Sequence, residues 1–192
     1  MLKDELNIIE QYVSSLNLKP QSTDSANEKQ KKELSLEVVD IVEDLLIVGY
    51  VDGVKYVNDV LGTDIKVNEK EMYSAIYKRT ADKNFQDRVF KYVENGLSYD
   101  LARVMNTDLH RVYNEAVYNT SVASGRTLYK LWATELDDKV RDTHEYLEGM
   151  TARLDERFFT YDGDSALFPG DFTLAENNVN CRCVIEIIPT NQ

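Results

Sequence analysis

Apolar residues recur every three to four positions through the first two-thirds of the chain, and then the spacing changes. Leu2, Leu6, Ile9, Val13 and Leu16 form a two-heptad seam over residues 1–20, an amphipathic helix too short to stand alone in water. Pro20 closes it, and the polar segment 21–33 predicts a linker. A helical domain is expected over 34–125. Leu34, Val38, Ile41, Leu45 and Val48 place a long helix over 34–61, where Gly49 and Gly53 predict a kink or break. Met72 and Ile76 mark a helix over 69–80, and Phe85, Val89 and Val93 line the next segment. Asn95-Gly96 is a stop signal, with Ser98 as N-cap of a helix over 99–124 carrying Leu101, Met105, Leu109, Val112 and Ala116.

After Gly125 the texture becomes bulky and aromatic. Residues 127–135 read as a strand, and Asp137 caps a short helix over 138–147 stopped by Gly149. A second strand is expected at 157–161, a long loop at 162–178 and a last strand at 179–188, ended by Pro189. The fold class is therefore α+β: a mainly helical N-terminal two-thirds followed by a small α+β module over 126–192.

Charge narrows the function classes. Lys and Arg number 22 against 34 Asp and Glu, a net charge of −12, so the surface as a whole repels nucleic acid and no sequence-specific binding to it is expected. No apolar run approaches the roughly 18 residues of a membrane span, and the N-terminus has no signal-peptide core. Two cysteines exclude a disulfide framework and make synthesis in a reducing cytoplasm the default. Twelve tyrosines suit either a core with polar tips or a protein interface.

Candidate chemistry gathers in the last third. Cys181 and Cys183, two apart on the expected strand, share a face, and their separation suits free thiols better than a disulfide. His144 shares the apolar face of its short helix with Val140 and Leu147, the usual setting of a core histidine. The same three residues, His144, Cys181 and Cys183, are also the types that zinc takes, although a fourth ligand is not evident. Arg141 and Arg182 stand among Asp137, Asp138, Asp142, Glu145 and Asp171, which predicts a polar lock pinning the 162–178 loop. His110 reads as an exposed helix residue. No nucleophile–base–orienter set is legible, and no catalytic residue is assigned.

Three stretches, HRVYNEAVYNTSVASG, KLWATELDDKVRDTHEYLEG and PGDFTLAENNVNCRC, resemble in order the phage head-morphogenesis family, the Mu F-like minor head proteins of tailed phages. The resemblance spans about residues 105–188. It runs through Arg111, Tyr113, Asn114, Ala116, Trp132, Asp137, Arg141, Asp142, His144, Leu147, Gly149, Pro169, Gly170, Asp171, Asn180, Cys181, Arg182 and Cys183. It implies a non-enzymatic virion protein in the capsid interior near the portal. Expected partners are the portal and the major capsid or scaffold protein, and some such proteins leave with the DNA. Some relatives carry a C-x-x-C in place of R-D-x-H and a His before the terminal C-x-C, a pattern that looks like a zinc site. Here Arg141 and Asn178 stand at or near those positions, so a metal-free chain with no cofactor is expected. Some relatives bear toxin or enzymatic extensions, and with the sequence stopping at Gln192 none is expected here. The alternative is a metal-dependent hydrolase or nuclease using His144, Cys181 and Cys183.

Overall fold

The computed structural model describes residues 3–18, 25–80 and 83–190. Leu2, Pro20 and the Leu6 side chain, all part of the expected first helix, lie outside the described residues. Five long helices come first: α1 (Lys3–Ser15), α2 (Ser25–Leu61), α3 (Glu69–Thr80), α4 (Lys83–Glu94) and α5 (Ser98–Ala123). The remainder is β1 (Leu128–Ala133), α6 (Asp142–Glu145), β2 (Thr151–Arg153), β3 (Phe158–Phe159), β4 (Ser165–Ala166), α7 (Ala175–Asn178) and β5 (Val184–Pro189). The architecture is α+β, with an antiparallel sheet of order β2-β1-β5 and a separate β3–β4 hairpin.

Helix α2 begins inside the segment read as a linker. Its first turns are polar but built of Ala, Glu, Lys and Gln, all strong helix formers, so polarity there does not break the helix. Nor do its glycines. Gly49 and Gly53 face α5, where a Cβ on Gly49 would lie 2.4 Å from Leu109 Cδ1, and one on Gly53 2.7 Å from both Ala116 Cβ and the Tyr113 carbonyl oxygen. They are points of close helix approach rather than of bending. The buried stripe of α2 is Val38, Val42, Leu46, Tyr50, Val54 and Val57, rotated from the predicted one, so that Val48 is exposed.

Helix α5 is the axis of the molecule. It packs on α1 through α4 and on β5. Leu101, Met105, Leu109, Val112, Ala116 and Val117 are buried, and so are polar residues on its other faces. Arg111 donates to Asp108 (3.2 Å), Glu115 (3.0 Å) and the Ala75 carbonyl of α3 (3.0 Å). Ser98 is the first residue of α5 and not its cap; Leu97 holds that position and no side chain caps the helix.

The C-terminal module departs from expectation where elements are short. The expected 138–147 helix shrinks to the single turn α6, because Arg141 is extended (φ −76°, ψ 151°) and one turn cannot propagate without tertiary support. Strand β2 was not foreseen; it pairs antiparallel with β1, Leu131 opposite Thr151. The expected 157–161 strand shortens to β3, and the 162–178 loop contains both β4 and α7. Strand β5 starts at Val184, so both cysteines precede it rather than lying within it. Trp132 of β1 stands opposite Ile185, and it packs with Phe158 and Phe172 (ring centroids 5.2 and 5.5 Å) to form the module's core.

Candidate metal centre

Two short segments deliver the candidate donors to one buried point. α6 carries His144, 2% exposed, and Leu147 just beyond the helix is buried too. The segment before β5 turns at Asn180, whose φ of +59° an Asn tolerates better than most residues, and presents Cys181 and Cys183. Ties to α5 hold this segment in place. The Asn180 N–H donates to Thr107 Oγ1 (3.1 Å), while Asn114 donates to the Cys183 carbonyl (3.0 Å) and accepts from the Ile185 N–H (2.9 Å). The expectation that both thiols share a side is met by this turn and not by strand alternation.

His144 Nδ1 lies 3.6 Å from Cys181 Sγ and 3.4 Å from Cys183 Sγ, and these three atoms all lie within 4.8 Å of one another. Both cysteines are buried and free of a disulfide. The imidazole stacks on Phe172 (centroids 5.2 Å, 23°) and meets Trp132 edge-on (5.6 Å, 78°), while its Nε2 is buried with no partner among the described residues. A hydrogen bond from Cys183, followed by the His144 imidazole, holds the Cys181 thiol well below its ordinary range against the opposing effect of burial. The Cys181 neighbour and then burial push Cys183 up. Beside the pair lies a cavity of about 10 Å³ bordered by Glu135, Arg141 and Arg182, room for a single water.

The predicted lock is rearranged. Arg182 grips Asp137 through two bonds (2.7 and 2.6 Å), whereas Arg141 donates to the Glu176 and Val179 carbonyls, not to a carboxylate. Asp171 belongs instead to Arg157 (3.1 Å) and to the Leu167 N–H (3.0 Å). Asp142 is exposed at the start of α6. Gly149, at φ +71°, donates its N–H to the Trp132 carbonyl. Gly170 (φ +96°) presses against the Arg111 stem, where a Cβ would lie 2.8 Å from Cγ. His110 is not exposed: only 4% of it remains accessible, because Pro169, Gly170, Asn178 and Cys181 close over α5 there. Burial lowers its pKa.

Two organising residues were missed. Asp164 accepts from the N–H groups of Ser165, Thr173 and Leu174 (2.8, 3.1 and 3.0 Å) and from Asn177 (3.0 Å), holding the long loop from within. No pattern in the sequence marks it. Lys130, fully buried, donates to the Leu154 and Leu167 carbonyls (2.9 and 2.8 Å). Strand alternation with Leu128 and Trp132 could have placed it inside. Asn178 bonds Phe172 and Leu174 rather than facing the thiols.

A family model described as Phage Mu protein F like protein matches residues 67–186. The chain is 29% identical over 139 residues to NAD(+)--arginine ADP-ribosyltransferase EFV of Enterococcus faecalis (strain ATCC 700802 / V583), covering 62% of this chain and 28% of that protein. It is 33% identical over 58 residues to the Minor head protein GP7 of Bacillus phage SPP1, covering 30% of this chain and 19% of that protein. The chain thus spans less than a third of the length of either relative. No solved structure matches it.

Proposed function

Because the chain belongs to the Phage Mu protein F like family, we propose that it is a minor structural protein of a tailed-phage head, working beside the portal in the capsid interior. The observation that carries this reading is the family match over residues 67–186, which takes in α5 and the module around His144. The likeness to a minor head protein supports a role in head morphogenesis. The work is done by surfaces: capsid or portal proteins are the partners, and no reaction is assigned. Among the described residues no helix is long and apolar enough to cross a membrane, which suits a protein that assembles with other proteins.

Purified particles should contain this chain by peptide mass spectrometry, and cross-linking inside them should join it to the portal. Infection with a null allele should yield defective heads. Normal, infectious heads without the chain would overturn the proposal. The transferase relative supplies a second reading, tested by incubation with labelled NAD and arginine-containing acceptors. No transfer is expected, and transfer that requires this chain would make it an enzyme.

A further inference from the structure

We propose that His144 Nδ1 and the sulfurs of Cys181 and Cys183 form a three-ligand site for a zinc-class divalent cation, with a water as fourth ligand on the side of the small cavity. This departs from the sequence-based expectation of a metal-free chain, and it does not depend on the head-protein reading.

Distance is the first argument. Zinc lies about 2.3 Å from sulfur and about 2.0–2.1 Å from imidazole nitrogen, so a tetrahedral site separates S from N by about 3.6 Å. The observed separations are 3.4 and 3.6 Å. One Nδ1 faces two sulfurs here, and a single ring nitrogen can accept a proton from only one of them. A cation between the three atoms satisfies all of them together.

Charge is the second. Two thiolates and a dication sum to zero, and the donors are buried with Trp132 and Phe172 packed on the imidazole, where an uncompensated ion is costly. Softness is the third. Two thiolates and an imidazole select zinc or a similar transition metal and discriminate against magnesium and calcium, which prefer oxygen donors.

Preorganisation is the fourth. The Asn114 bonds hold the backbone just after the second thiol, at the Cys183 carbonyl and the Ile185 N–H, Thr107 holds the residue before the first, and aromatic rings pack on the imidazole. A site whose donors are held before the ion arrives loses little order on binding. Among the described residues no fourth His, Cys, Asp or Glu donor joins the cluster. The adjoining cavity has room for one water, the ligand that completes a three-residue zinc site.

The deciding measurement uses the full wild-type chain, because a ligand variant can also fail through lost packing. Protein purified under reducing conditions from zinc-supplemented medium should carry about one zinc per chain by elemental analysis. Chelation should remove it. Returning zinc at 100-fold over its Kd should raise the melting temperature by roughly 6–10 °C, with no effect of magnesium at the same concentration. Cobalt in place of zinc should give thiolate-to-metal charge-transfer absorption. Cys183→Ser and His144→Asn should abolish that band, while Asp162→Asn, on the hairpin, should keep it. The proposal is overturned if the reduced wild-type chain holds less than about a tenth of an equivalent after zinc titration and zinc leaves both its melting temperature and its thiol reactivity unchanged.

Discussion

At the scale of single residues, the module is held by polar groups in apolar surroundings. Lys130 shows the cost. Burial, followed by the neighbouring Arg157 charge, lowers its pKa to about 8, and its ammonium lies over the Tyr118 and Phe158 rings (both 5.3 Å). With the folded pKa depressed below the unfolded value near 10.4, the unfolded chain binds the extra proton between those values. Stability from this group therefore rises as pH climbs from about 8 towards 10.4. Urea melts of wild type and Lys130→Met at pH 7 and pH 9.5 should show the difference between them shifting in favour of wild type by about 1–2 kcal/mol at the higher pH. A difference independent of pH would mean that the ammonium is as well solvated in the fold as outside it. Asp164 has the opposite sign. Burial opposes its ionisation, but the bonds from Asn177, Leu174, Ser165 and Thr173 outweigh that and hold its carboxyl low. Its contribution is present above the ordinary carboxylate range and is lost as pH falls through its lowered folded value.

At the scale of elements, the α2–α5 crossing is set by two glycines that an isolated helix would rather lack. Replacing either by Ala would gain about 1 kcal/mol from helix propensity alone. Packing decides otherwise, and unequally. At Gly53 the new methyl would meet backbone, the Tyr113 carbonyl at 2.7 Å, which cannot retreat without moving α5. At Gly49 it would meet the tip of Leu109, which can change rotamer. Gly53→Ala should therefore cost about 2–3 kcal/mol or more, while Gly49→Ala should cost clearly less, by thermal melts. Equal effects would show that the helices separate freely. The polar ties of the module follow the same logic. The Arg182–Asp137 pair is partly exposed and contributes little, whereas Arg141 satisfies the last carbonyls around α7, where backbone acceptors would otherwise depend on water.

At the scale of the whole molecule, α5 serves two bodies of structure. Its α2 face closes the helical layer, and Asn114 on another face bonds the backbone on either side of Val184. Trp132, the single tryptophan, is buried in the C-terminal module, so its fluorescence reports there while far-ultraviolet circular dichroism reports mainly the helices. The two signals should melt together in wild type. Asn114→Ala leaves a buried carbonyl and N–H without partners, and it should lower both transitions by about 2–4 kcal/mol in step. A tryptophan transition that moves ahead of the helical one would mean that the module folds on its own.

Periodicity along the chain determined the helices of the first two-thirds, because burying one face of a long helix requires a repeat that composition cannot hide, and the bulky, aromatic texture after Gly125 added the β part of the α+β class. The residues drawn together at the candidate site were legible as types and order: a histidine, two cysteines and their flanking arginines. Which partner each arginine takes, which stripe of α2 is buried, why His110 is covered and where the short strands begin were decided by tertiary contact. Elements of two to four residues carry too few positions for a period to show, and their hydrogen bonds are made to distant segments. Asp164 and Lys130 belong to the same class. Their roles rest on carbonyl and N–H groups that every residue possesses, so only the fold could say which of those groups would meet.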